Sequence, residues 1–328
     1  MKLSILNLVP LREGQDYRQA MEAMVRLAQL AEELGVERYW IAEHHNMPNL
    51  ASSATQLLIQ HALANTKTLK VGSGGVMLPN HAPYLVAEQY GTLETLYPGR
   101  VELGLGRAPG TDMRTARALR RGPINPEFID DLLELRGYFE NTNPVSAYPA
   151  AGLNIPFYIL GSSTESAYLA AELGLPYAFA SHFAPEMMEA AVEIYRCLFK
   201  PSQHLAKPYV ILGANAILAD THEHALHLAT TYNAFALGIV KNARRKLQPP
   251  LVSQEEVWER FEASPQEQAW VAQKAACALI GTPTTVAFQL EQLQKRVQFD
   301  ELMAVSYIFD EQEQAYSYRL LKQVIEQA

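Results

Sequence analysis

Strand-like and helix-like runs alternate along this chain, and the alternation predicts an α/β fold, a (β/α)8 TIM barrel. Three observations carry that expectation. Eight apolar, β-rich runs are separated by amphipathic runs. Two helical runs stop at Glu33-Leu34-Gly35 and Glu172-Leu173-Gly174, each with a glycine just before the next strand. The first strand leads into Val9-Pro10-Leu11-Arg12-Glu13-Gly14 and not into a glycine-rich phosphate turn, which disfavours the doubly wound open sheet.

The elements follow in order. Residues 3–9 read as the first strand and 17–34 as the helix after it. The second strand covers 38–42, before a helical run over 53–65; the third covers 69–77, before a helix over 83–96 that stops at Pro98-Gly99. The fourth covers 100–105, and a polar loop from Gly106 to Pro126 leads to a helix over 127–140. Strand and helix then pair as 155–160 with 163–173, 177–180 with 185–199, and 209–218 with 221–237. The eighth strand reads as 302–308, with a closing helix from Gln312. A barrel needs about 250 residues, so this 328-residue chain carries an insertion. It is placed at residues 241–282, between the last two strands, where Pro249-Pro250 and two polar helical patterns (254–261 and 265–278) occur without a strand. We expect one domain over 1–328, with the insertion as a lid on the C-terminal face.

Composition narrows the function. A net charge of −8 without a basic face argues against nucleic-acid binding. No apolar run is long enough to span a bilayer, and the first residues lack a signal-peptide pattern. Two distant cysteines suit free thiols in a reducing cytoplasm.

In a barrel the segments after the strands share one rim, where ligands bind. Collected there are Asn7; Glu43, His44 and His45; Ser73 to Gly75, running on to His81; Gly106 and Arg107; Gly161, Ser162 and Ser163; Ser181 and His182; and Asn215. A carboxylate beside two imidazoles at a strand exit points to proton handling. The glycines of Val71-Gly72-Ser73-Gly74-Gly75-Val76-Met77 suit either a bulge or a flat ligand against the backbone. Arg107 suits an anionic ligand group or a structural ion pair. At the start of the fifth helix, Ser162 and Glu165 read as a capping box, which leaves Ser163 and Ser166 free as a phosphate cradle. Met47, Met77, Tyr84 and Phe183 hint at an apolar substrate or at core packing. Thr221-His222-Glu223-His224 reads as a capped first turn rather than a metal site, and no metal is expected.

These residues, in this order, resemble the bacterial luciferase-like flavin-dependent monooxygenases, most closely the single-chain "luciferase family oxidoreductase, group 1" proteins. The resemblance rests on Ala42-Glu43-His44-His45, on residues 71–81, on Pro98 through Gly110, and on Leu160-Gly161-Ser162-Ser163. It implies a barrel that holds reduced FMN noncovalently at the C-terminal rim and uses O2 to oxygenate a small organic substrate. It implies a non-prolyl cis peptide at Gly74–Gly75 beneath the flavin ring, with Met77 and Gly106 beside it. Phosphate contacts are implied from Arg107, Gly161, Ser162, Ser163 and Ser166, and further flavin contacts from Ser181 and His182. His44 is the implied acid/base, with Glu43 orienting it or touching the flavin, and His45, His81 or His182 assisting. The resemblance further implies a separate reductase that supplies the flavin, and pairing of the chain as a homodimer. Light-emitting members have cysteine where this chain has Gly106, so luminescence is not expected. Three alternatives stay open: a deazaflavin (F420)-dependent hydride-transfer reductase, a metal-dependent hydrolase built on the rim histidines, and a flavin-binding protein without catalysis.

Overall fold

The computed structural model describes residues 1–108, 110–119 and 128–327. Eight parallel strands close into a barrel: β1 (Lys2–Asn7), β2 (Tyr39–Ile41), β3 (Val71–Met77), β4 (Val101–Gly106), β5 (Phe157–Gly161), β6 (Tyr177–Phe179), β7 (Val210–Leu218) and β9 (Glu301–Val305). β6 pairs with β7, and β9 pairs with both β7 and β1, which completes the ring. The TIM barrel is therefore as expected. The short β8 (Leu279–Gly281) is a correction, because the insertion was expected to hold no strand. β7 is long enough that its last residues extend past the ring, and Ala216 to Leu218 pair with β8 there.

Helices cover the outside in chain order: α1 (Tyr17–Glu33), α2 (Thr55–Ala64), α3 (Pro83–Leu96), α4 (Met113–Leu119), α5 (Phe128–Glu140), α6 (Thr164–Leu173), α7 (Met188–Leu198), α8 (His222–Val240), α9 (Gln254–Arg260), α10 (Pro265–Lys274), α11 (Pro283–Arg296) and α12 (Glu311–Gln327). Asp16 caps α1 in a box with Gln19, and Gly35 and Gly174 end their helices at φ values of 60° and 59°. Thr221 caps α8 through His224 N, as expected. Two helices escaped the sequence reading. α4 replaces part of the expected loop and starts where Asp112 accepts from the backbone of Arg114 and Thr115. α11 follows the insertion, capped by Thr282. Residues 120–127, the end of the expected loop and the start of the expected helix, lie outside the described residues, as does Pro109.

Strand alternation sorts side chains into two cores. Leu3, Ile5, Tyr39, Ile41, Val71 and Leu103 pack outward against the helices. Leu6, Trp40, Tyr158, Ile211 and Met303 point along the barrel axis and continue upward into Tyr232, Phe235 and Tyr307. At the N-terminal floor the axis turns ionic. Arg38 bonds Glu102 at 2.8 Å and also Glu301, while Tyr158, Trp40 and Tyr209 donate to the same two carboxylates. All three charged residues are at most 4% exposed. Such groups persist in a low-dielectric interior because each charge has partners.

β3 and β4 run unusually close. A Cβ on Gly104 would lie 2.2 Å from Ser73 O, and one on Gly72 would lie 2.5 Å from Glu102 O. The register slips between Ser73 and Val76, where the Gly74–Gly75 peptide is cis. Of the two readings of the glycine run, the irregularity is the bulge, and contact with the backbone of β4 accounts for Gly72.

Residues 241–282 meet several of the loops that follow the strands. Leu247 bridges to Arg12 after β1, Asn49 Nδ2 donates to Arg245 O, and Arg244 donates to Asn46 O. α9 and α10 pack on α8, and Lys274 reaches Glu186 beyond β6 at 2.6 Å. Among the described residues, no helix is long and apolar enough to cross a membrane.

Candidate functional site at the C-terminal rim

β2 delivers Glu43, His44 and His45 to the rim on alternating sides. Glu43 is 1% exposed and faces the exit of β3. Its Oε1 lies 2.7 Å from both His45 Nε2 and His81 Nε2, and its Oε2 accepts from Met77 N at 3.2 Å. Burial pushes the carboxyl up, but hydrogen bonds from His45 and His81 outweigh it and leave it at about 2. The group is thus an ionised acceptor at neutral pH, so both imidazoles donate through Nε2–H. This corrects one expectation: Glu43 orients His45 and His81, and no hydrogen bond ties it to His44. Its bond to Met77 N holds the segment that carries the cis peptide. The loop after β4 closes against the same corner, with Thr111 Oγ1 donating to His45 O and Asn46 Nδ2 donating to Asp112.

His44, two residues past the inward-facing Ala42, turns toward the axis. Its Nδ1 is buried without a partner. His182, after β6, is 9% exposed and also has an unpartnered, buried Nδ1. Burial pushes both imidazoles down to about 4, and each lies within electrostatic reach of a second imidazole: His45 for His44, and His44 for His182. Gly213 makes room for this arrangement, since a Cβ there would lie 2.5 Å from His182 Nδ1. Asn215 Nδ2 donates to His182 O at 2.8 Å and fixes the loop. The sequence placed His182 on the rim but gave no sign of its approach to His44. Gly213, a glycine inside a strand, was the available signal.

On the other side of the mouth, Arg107 Nη2 lies 3.5 Å from Ser163 Oγ and 3.5 Å from Glu165 Oε2. Arg107 and Glu165 are half-exposed, and an ion pair of that kind holds its arginine weakly. A cavity of about 170 Å³ opens here, lined by Arg107, Ile159, Leu160, Glu165 and Ser166 among others. Ser163 is the N-cap of α6 and makes no side-chain cap bond, so the expected capping box of Ser162 and Glu165 is absent. The first-turn N–H groups of α6 and the Arg107 guanidinium stand together at this corner, a pairing whose charge suits an anion. Ser166 is not free as expected: its hydroxyl donates to Ser163 O at 2.8 Å and meets Tyr177 OH at 3.0 Å. Gly161 permits this, because a Cβ there would collide with Ser166 Oγ. Ser181 departs from expectation in the same way, being fully buried with its hydroxyl committed to Gly213 O.

Gly106 and Met77 sit together, with Met77 Sδ 3.0 Å from where a Gly106 Cβ would be. Of the apolar side chains expected near the rim, Phe183 packs edge-on against His182. Tyr84 lies instead on α3, edge-on to Tyr138 and bonded to Ser146 O. Among the described residues, Glu43, His45 and His81 form one group able to hold a cation, with ligand atoms within 4.8 Å of one another. To do so, both imidazoles would have to surrender the Nε2 protons they share with Glu43.

A closed, parallel eight-stranded barrel with imidazoles, a buried carboxylate and an arginine gathered at its strand exits defines a TIM-barrel protein, and that rim is the end at which such barrels bind ligands. The chain belongs to the luciferase-like monooxygenase family, whose model matches residues 1–298. It is 46% identical to "Uncharacterized protein YvbT" of Bacillus subtilis (strain 168), over 98% of this chain and 96% of that one. It is equally 46% identical to a "Luciferase-like monooxygenase" of Escherichia coli (strain K12), over 99% and 97%. The crystal structure of apo-MsnO8 is similar at a TM-score of 0.89 and 32% identity, covering 99% of this chain and 98% of that one. The oxygenating constituent of 3,6-diketocamphane monooxygenase in complex with FMN, and an F420-dependent secondary alcohol dehydrogenase, share the fold at TM-scores of 0.73 and 0.64. Their identities are 17% and 15%, over 98% and 99% of this chain and 97% and 98% of theirs.

Proposed function

We propose that this monooxygenase-family chain binds reduced FMN noncovalently between β3 and β6, and uses O2 to oxygenate a small organic substrate. The observation that carries this reading is the pairing of Arg107 and Ser163, after β4 and β5, with the irregular exit of β3 between Ser73 and Val76, one and two strands away. A planar group with a phosphate tail fits that pairing. The FMN named in the complex of 3,6-diketocamphane monooxygenase supports the choice.

When bound, the flavin would supply the two-electron chemistry that lets O2 react. The chain's own residues bind and shield it. Arg107, Ser163 and the α6 N–H groups hold the phosphate; Ser162 and Gly161 shape the turn. Gly74, Gly75, Met77 and Gly106 form the surface beneath the ring. Glu43 acts through His45 and His81 to keep that surface in place. His44, neutral and with a free Nδ1, gives or takes a proton at the reacting atoms. The insertion 241–282 keeps water out as a lid. On the family resemblance, a separate reductase delivers the flavin, and the chain works in the cytoplasm as a homodimer. Exposed Leu57 on α2 and Leu85 on α3 offer apolar surface for such pairing.

A second reading, F420-dependent hydride transfer, is favoured by the F420-dependent dehydrogenase of the same fold. Anaerobic titration with photoreduced FMN and with reduced F420, followed by admission of air, separates the two. Saturable binding of reduced FMN and O2 uptake above the free-flavin rate support the monooxygenase. Binding of F420 alone, or stoichiometric metal without flavin affinity, would end it.

A further inference from the structure

Three polar atoms at the barrel mouth are buried and unpartnered: His44 Nδ1, His182 Nδ1 and Asn215 Oδ1. They come from the exits of β2, β6 and β7, and they belong to one locus. His182 lies within electrostatic reach of His44, and Asn215 is bonded to the backbone of His182. Asn215 is 1% exposed. The surrounding wall is apolar, with Ala42, Val305 and Tyr307 in the inner core and Phe235 stacked on Tyr307 at 4.7 Å. Buried polar atoms are nearly always hydrogen-bonded, so three orphans in one apolar mouth mark a place for a ligand's polar head.

The atoms also define that head. Asn215 Nδ2 is fixed as the donor to His182 O, because the flipped amide would set two carbonyl oxygens against each other. Its Oδ1 is therefore an acceptor and needs a donor from the ligand. The two imidazoles are neutral, and each offers a ring nitrogen that can donate or accept. A carboxylate brings no donor for Asn215, and it would lie near the ionised Glu43, whose field already reaches His44. A neutral group that both donates and accepts satisfies all three atoms.

We infer that His44, His182 and Asn215 form a substrate-head subsite selective for a neutral donor–acceptor group, of the carboxamide type, on an apolar body, and that it rejects the matching carboxylate. This rests on the reading that substrate enters the same mouth as the flavin. His182 and Asn215 thereby act as specificity residues.

The test compares benzamide, benzoate and toluene on the full chain, by ligand titration and by the imidazole 15N signals of His44 and His182. Benzamide is expected to shift both ring signals and to bind at least about tenfold more tightly than benzoate, as expected of a site built to hydrogen-bond its ligand. Asn215→Leu should bring benzamide down to the level of toluene, in a chain that still folds but unfolds at a lower temperature because His182 O loses its donor. Equal or tighter binding of benzoate, no binding of benzamide, unshifted histidine signals, or an unchanged preference in a folded Asn215→Leu chain would each overturn the inference. If that variant does not fold, the wild-type series decides alone. Reduced FMN is titrated into the same samples. Loss of flavin binding with the amide preference intact removes the flavin reading and not the subsite, and the reverse pattern removes only the subsite.

Discussion

His81 donates to Glu43 Oε1 at 2.7 Å across 38 residues of chain, and so ties the exit of β3 to the exit of β2. The same carboxylate takes Met77 N and His45, so one buried charge holds the corner around the cis Gly74–Gly75 peptide. Glu43→Leu leaves three donors unanswered. We expect a loss of about 2–4 kcal/mol in urea unfolding and weaker flavin binding. A stable Glu43→Leu chain with unchanged flavin affinity would remove Glu43 from this role.

Acid sensitivity should have two origins. His44 and His182 are held neutral, down from 6.5 to about 4, so protons bind the unfolded rings more readily. Their contribution is complete above pH 6.5 and is lost as pH falls toward 4, at roughly 2–3 kcal/mol for each ring. Glu43 is depressed from 4.5 to about 2, so its contribution is complete above 4.5 and is lost as pH falls toward 2. Urea midpoints measured against pH should fall from pH 6.5 downward in the wild type, and fall less steeply between 6.5 and 4 in the His44→Gln/His182→Gln chain. Superimposable acid limbs would contradict the burial of these rings.

Close strand approach predicts a contrast between two neighbouring glycines. An alanine Cβ at Gly104 meets the Ser73 carbonyl at 2.2 Å, while one at Gly106 meets only the flexible Met77 sulfur at 3.0 Å. Gly104→Ala should cost about 1–3 kcal/mol by overpacking, and Gly106→Ala clearly less, as read from denaturant midpoints. Similar costs at both sites would deny the close β3–β4 contact.

The floor of the barrel predicts the reverse separation of stability and binding. Arg38→Met strands Glu102 and Glu301 without their cation, at a cost of about 3–5 kcal/mol. Because the floor lies at the opposite end from Arg107, the folded fraction should bind flavin as the wild type does. A fall in affinity without a fall in stability would show that the floor acts on the site.

The barrel was legible because apolar runs are punctuated by glycines such as Gly35 and Gly174, whose left-handed backbone is a local property. β8 was not, because a three-residue strand owes its existence to the extension of β7 and not to its own pattern. α4 was hidden for a similar reason, being one capped short helix in a polar stretch. At the site, residue types at strand exits were readable, whereas pairings were not. Ser166 reads as a free hydroxyl until Tyr177 and Ser163 are seen to occupy it. Glu43 reads as a partner for its neighbour His44, yet strand alternation sends the two to opposite sides.

The central claim is that Arg107 and the start of α6 hold the phosphate of a flavin. Its most direct test is a binding cycle of reduced FMN and reduced riboflavin on wild type and Arg107→Ala. Removing either the phosphate or the guanidinium should weaken binding by about tenfold or more, and removing both should weaken it little further. Riboflavin binding as tightly as FMN, or an Arg107→Ala chain with full FMN affinity, would contradict it.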